Sequence, residues 1–385
     1  MNPTYKHFHR IAWAALLLAL AVIAFGGFVR LSHAGLSCPD WPTCYGRATW
    51  PVHDAEVAAA NASFERAVEV GKAWREQFHR HIAGLLGLLV LSLALLEARR
   101  RKRAVWVPVL CSALVAGSIP LYMSGQHAVA FALAGAGILG LLGFAYRSGP
   151  EPYIRFTAIL LAVIVFQAML GMWTVTWLLK PVVVMAHLLG GLTTFSLLTW
   201  LAWRATPNTE LIQGDAVLLK KLLWIGLALL TVQIALGGWT SANYAALACA
   251  SDFPKCAGQW WPAQDFREAF VLWRGIGVDY EGGVLDGPAR AAIQMTHRGM
   301  AVLLVAYLLT VAIRMIRTPG LVYWGSVLAV LLCVQAALGI TNVLKGLPLW
   351  SAVAHNAGAA LLLFVVVGLL ARLREPEQNP GALDG

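Results

Sequence analysis

Charge is scarce in this chain. Acidic and basic side chains make up 12% of its 385 residues, and 59% are hydrophobic. A soluble domain carries roughly twice that charge, so a water-soluble protein is excluded. Long apolar runs along the whole length mark a polytopic membrane protein instead. No small-residue cleavage site follows the first run: Lys6 and Arg10 precede it, and it spans 11–31, ending in Arg30. It is too long for a signal core and is expected to stay as the first membrane helix. Cysteine is limited to six residues, and none forms a Cys-x-x-Cys pair. That excludes a redox motif of this type, and the spacing is not that of a zinc site.

What is present are ten apolar segments, at 11–31, 79–98, 104–123, 127–146, 155–177, 182–203, 220–241, 291–313, 321–342 and 350–371. Each has about the 20 residues that a bilayer core requires. Arg99 to Arg103, Arg147 and Arg155, Arg204, Lys220 and Lys221, Arg314 and Arg317, and Arg372 and Arg374 all mark ends on one side. By the positive-inside rule that side is cytoplasmic, and both termini lie there. The net charge of +10 is accounted for in this way and gives no reason to expect nucleic acid. Two long loops, 32–78 and 242–290, then face outward, each with Trp, Pro, Gly and a Cys pair.

The segments repeat. Phe25-Gly26-Gly27-Phe28 through Cys38 and Cys44 parallels Leu236-Gly237-Gly238-Trp239 through Cys249 and Cys256. Phe166-Gln167-Ala168-Met169-Leu170-Gly171 parallels Val334-Gln335-Ala336-Ala337-Leu338-Gly339. The expected fold is an all-α membrane protein with two pseudo-symmetric four-helix bundles in parallel repeat. The first bundle occupies residues 1–203, with a helical hairpin inserted at 104–146. A cytoplasmic linker at 204–219 leads to the second at 220–374, and a disordered tail at 375–385 follows.

Four histidines occupy equivalent places in this repeat, each read as lying at the start of an apolar segment: His79 and His187 in the first half, His297 and His355 in the second. A lone helix-start histidine is most simply a local hydrogen-bonding group. Four at matching positions point to function, because ionisable side chains in a membrane are costly. Neutral imidazole is a good iron ligand, and opposed imidazoles on facing helices are what bis-histidine haem binding requires. Two haem sites, one per half, are expected near the outer face. His7, His9, His33, His53, His81 and His127 have no such pairing.

The halves differ three residues before the first histidine of each, where Glu76 stands against Gln294. A carboxylate can take a proton and an amide cannot. Glu76 is therefore the candidate catalytic residue; the alternatives are a solvated loop residue or a partner for Arg80. Arg30, Arg80 and Arg298 are candidates for haem propionates, whose geometry guanidinium matches, or else anchors for helix ends. Cys38 with Cys44 and Cys249 with Cys256 are expected to form loop disulfides on the oxidising side. Their role is loop stapling or thiol–disulfide electron transfer.

Several stretches together resemble the haem A synthase family of cytochrome oxidase assembly enzymes. They are Gly26-Gly27-Phe28-Val29-Arg30-Leu31 with Gly35 to Pro42, Glu76-Gln77-Phe78-His79-Arg80, Gly171-Met172-Trp173-Thr174-Val175 with Lys180-Pro181, His187 to Gly191, Thr296-His297-Arg298 and Ala354-His355. The hairpin at 104–146 departs from that family's eight-helix plan. The resemblance implies oxidation of the C8 methyl of haem O to a formyl group through two hydroxylations and loss of water. It also implies a bound haem b on His297 and His355, a substrate haem between His79 and His187, and Glu76 at the family's essential acidic position. Partners to expect are haem O, haem O synthase, cytochrome oxidase assembly factors, the bacterial plasma membrane and a second copy of the chain.

Two other classes compete. A dihaem quinol-linked electron carrier would explain four histidines but not the Glu76/Gln294 difference. A transporter predicts polar residues near the midplane, and this chain has few.

Overall fold

Each long apolar run is helical in the computed structural model, which describes residues 3–101, 103–149, 152–207 and 216–373. Inside hydrocarbon every backbone N–H and C=O must bond within its own segment, so such runs fold as helices. In chain order these are α1 (Pro3–Leu31), a short loop helix α2 (Asp54–Ser63), α3 (Val70–Ala98), α4 (Trp106–Met123), α5 (His127–Arg147), α6 (Pro152–Thr176) and α7 (Pro181–Ala205). Then come α8 (Ala216–Ala242), the one-turn α9 (Phe266–Ala269), α10 (Gly287–Ile316), α11 (Val322–Leu344) and α12 (Leu349–Arg372). Among the described residues ten helices are long and apolar enough to cross a membrane, and none of these residues forms a strand beyond isolated bridges. Residues 208–215, half of the expected linker, and the tail beyond Leu373 lie outside the described residues, while the linker's two ends belong to α7 and α8.

Helices α1, α3, α6 and α7 pack in a ring, each touching the next, and α8, α10, α11 and α12 do the same. Across the halves α1 meets α12 as α8 meets α7, and α7 meets α12. That is the contact pattern of a twofold relation. At the seam Asn356 Nδ2 donates to Ile23 O at 3.2 Å. It occupies the space beside Gly27, where a Cβ would lie 2.6 Å from it. The hairpin α4–α5 lies outside the rings and packs on α6, with a weaker contact to α3.

The close-packed apolar core, including Phe8, Leu93, Leu198, Leu308 and Val366, gathers toward the end with the arginine clusters, here the basic end. The four histidines lie toward the opposite, loop end. There the second long loop reaches over the first half: Tyr280 is buried with Leu36, Val175 and Leu179. Its N–H donates to Leu178 O at 3.1 Å. Arg66 pairs with Glu281 at 3.1 Å.

Several expected helix starts need correction: α1 begins at Pro3 against 11 and α8 at Ala216 against 220, and the starts of α3 and α10 move as well. Helix α3 begins at Val70 and α10 at Gly287, well before the predicted 79 and 291. His79 and His297 therefore lie in the third turn of their helices, not at the start. The additional turns are polar on one face, which hides them from an apolar-run reading. Asp286 caps α10 by accepting from Ala289 N at 2.9 Å, and Pro288 fits its first turn. The loops are correspondingly shorter than 32–78 and 242–290.

Candidate functional site

Each of the four imidazoles sits on a glycine of the neighbouring helix. His79 of α3 lies against Gly26 of α1, and His297 of α10 against Gly237 of α8. His187 of α7 lies against Gly171 of α6, and His355 of α12 against Gly339 of α11. A Cβ on these glycines would stand 2.9, 3.2, 3.0 and 3.1 Å from the respective Cε1 atoms, so any larger residue would displace the ring. The stretches aligned by the repeat in the sequence thus supply matching seats. Phe25 adds a stacked face to His79, with ring centroids 6.4 Å apart.

His79 and His187 are near enough to interact electrostatically, as are His297 and His355. All four are only partly buried by neighbouring atoms. Among the described residues no three His, Cys, Asp or Glu side chains are grouped to hold a metal. An iron here would have to bring most of its own ligands, as the iron of a porphyrin does. The residues fit that group: paired imidazoles, each seated on a glycine.

Glu76 is 4% exposed, which removes the reading of a solvated loop residue. Its Oε2 accepts from the backbone N–H of Cys38 at 2.9 Å, and its Oε1 from Arg80 Nη2 at 2.6 Å. Cys38 is joined to Cys44 by a disulfide. The second half has the same frame without the charge. Cys249 is joined to Cys256, but Gln294 is buried with Oε1 unbonded. Arg80 also ties its loop through Asp40 O at 2.8 Å, as Arg298 ties the other through Lys255 O at 2.9 Å. Arg30 donates to Ser241 O at 2.7 Å and Tyr244 Oη at 3.1 Å, bridging the halves. All three arginines thus hold loop structure.

The remaining histidines stand apart from these pairs: His33 stacks on Tyr244, His81 contacts Ala48 O and His127 neighbours Tyr122. Cys111 is buried and Cys333 exposed, both as free thiols. Lys180 is legible in the sequence only as part of the Lys180-Pro181 motif that carries the resemblance. Lys180, the residue before α7, is 1% exposed. Its Nζ has no hydrogen-bond partner and lies 3.3 Å from the centre of the Trp273 ring, with Trp177 at 5.4 Å. A lysine on the side that the positive-inside rule leaves poor in cations, matched by Pro348 in the other half, was the available signal.

The chain is matched by the family profile of cytochrome oxidase assembly proteins, COX15-CtaA, over residues 9–119 and 125–367. It is similar to the haem A synthase of Shewanella oneidensis, with 38% identity across 91% of this chain and 92% of that one. It is also similar to the haem A synthases of Paracoccus denitrificans, at 27% identity across 95% and 88%, and of Caulobacter vibrioides, at 28% across 94% of each. A multi-pass membrane protein with a duplicated helical unit and two disulfide-tied loops, it belongs to the COX15-CtaA cytochrome oxidase assembly family.

Proposed function

We propose that this protein oxidises the C8 methyl of haem O to the formyl group of haem A. Haem O would lie between His79 and His187, and a resident haem b between His297 and His355. The observation that carries this reading is the difference between two otherwise matched sites. Glu76 is held at Cys38 in one, and Gln294 stands in its place in the other. A carrier that only passes electrons has no need of a carboxylate in one half.

Haem b supplies an electron-transfer centre when bound. The residues of the chain do the rest. The histidines would hold the two macrocycles. Glu76 accepts a proton near the methyl group under oxidation, with Arg80 and the Cys38 N–H keeping both carboxylate oxygens in place. Lys180 lies two turns before His187 on α7 and places a cation for a propionate of the substrate. The loop end faces outward, in agreement with the arginines at the other end.

The test is reverse-phase separation of haems extracted from purified protein, beside its optical spectrum. Haem O, hydroxylated haem or haem A is expected together with haem b. Haem b alone would leave an electron carrier.

A further inference from the structure

The four glycine seats share a second feature, and one of them lacks it. One turn before each glycine stands Gln167, Gln233 or Gln335, but Val22 in α1. Each glutamine bonds the main-chain carbonyl of the histidine seated on its helix, and of the three side chains only that of Gln233 also reaches a ring nitrogen. Gln167 Nε2 donates to His187 O at 2.6 Å, Gln335 Nε2 to His355 O at 2.9 Å and Gln233 Nε2 to His297 O at 3.2 Å. Gln233 Nε2 also lies 3.1 Å from His297 Nδ1. Gln167 and Gln335 fill the space beside Gly190 and Gly358, three residues past their histidines. Valine has neither donor nor acceptor in its side chain, so α1 cannot clasp His79 from this position.

We infer that Val22 makes His79 the releasable imidazole of the four. The inference rests on the proposed function and deepens it. The second half clasps both ligands and so retains its haem. The first half bonds the main chain of His187 alone and leaves the Nδ1 atoms of both its imidazoles without a partner, so a haem can be exchanged there. Retained cofactor and exchanged substrate are thus distinguished by the helix behind the ligand, while the ligands themselves are identical. Val22 and Gln233 are positioning residues: they act through the histidines.

The experiment uses the full chain in detergent, loaded with its haems, and follows haem loss to excess apomyoglobin together with optical and electron paramagnetic resonance spectra. Wild type should lose haem in a fast and a slow phase. Val22→Gln should slow the fast phase about fivefold, the size of one net hydrogen bond, and raise its low-spin signal. Gln233→Val should speed the slow phase by a similar factor and leave the fast phase alone. This second variant removes a polar group and reads the same clasp if Val22→Gln does not fold. An unchanged fast phase in folded Val22→Gln, or an unchanged slow phase in Gln233→Val, overturns the inference. A single phase releasing two haems per chain would also overturn the inference, whereas release of one haem only would overturn the two-haem reading beneath it.

Discussion

Glu76 and Cys38 are 38 residues apart in the chain, and the N–H of one bonds the carboxylate of the other at 2.9 Å. The disulfide to Cys44 therefore fixes the backbone group that aims the candidate catalytic acid. Stapling and chemistry, which the spacing left as separate roles for this cysteine pair, meet at one hydrogen bond.

Replacing Glu76 by Gln should leave both haems bound while haem A formation falls about 100-fold or more, the usual range for a lost acid–base group. Haem content and haem type are read from the same extract. Normal turnover would remove Glu76 from the mechanism.

Cys38→Ala with Cys44→Ala should lower stability by about 2 kcal/mol and reduce turnover while leaving the haem spectrum of the second half unaltered. The matched change at Cys249 and Cys256 should spare the Glu76 frame. Equal losses of turnover in the two double variants would show that the loops serve stability alone.

His297→Ala should lose the slow-exchanging haem, and His187→Ala should disturb the fast-exchanging one. Full haem retention in His297→Ala, seen by pyridine haemochrome assay, would end the ligand assignment.

Gly26→Ala should strain the seat of His79, because its Cβ would lie 2.9 Å from Cε1. Overpacking of this kind costs about 1–3 kcal/mol. Gly237→Ala, at 3.2 Å from His297 Cε1, should be the milder change. Thermal midpoints and low-spin signal intensities of the two variants give the order.

Burial holds the Lys180 ammonium below the ordinary lysine range. The folded chain then sheds this proton more readily than the unfolded chain. Protonated Lys180 opposes folding at neutral pH, and stability rises as pH climbs from the lowered value toward the ordinary one near ~10.4. Lys180→Met should raise the midpoint at neutral pH and remove that alkaline rise. Under the proposed function it should also weaken retention of substrate haem. A midpoint with an unaltered pH slope would show that the buried cation is not destabilising.

Local pattern carried most of the membrane fold. The ten spans follow from hydropathy, because a continuous apolar run in lipid has few alternatives to a helix. The pairing of Gly26 with Gly237 and of Gly171 with Gly339 followed from the repeat. The starts of α3 and α10 were missed because their first turns carry polar residues, such as Lys72 and Arg290, that end an apolar run without ending a helix. Tyr280 over the first half, Arg30 on Ser241 and Lys180 under Trp273 gave no periodic signal at all.

The sequence by itself determined which segments cross the membrane, that the chain is a duplication, that four imidazoles stand in matching places and that Glu76 stands where the other half has Gln294. Only the tertiary structure decided what holds them: Cys38 N–H on Glu76, a glycine under every ring, and glutamine clasps on three histidines but not on His79. Hydropathy and period are properties of neighbours along the chain. A hydrogen bond between helices depends on register and rotation between segments far apart in sequence, and packing alone sets those.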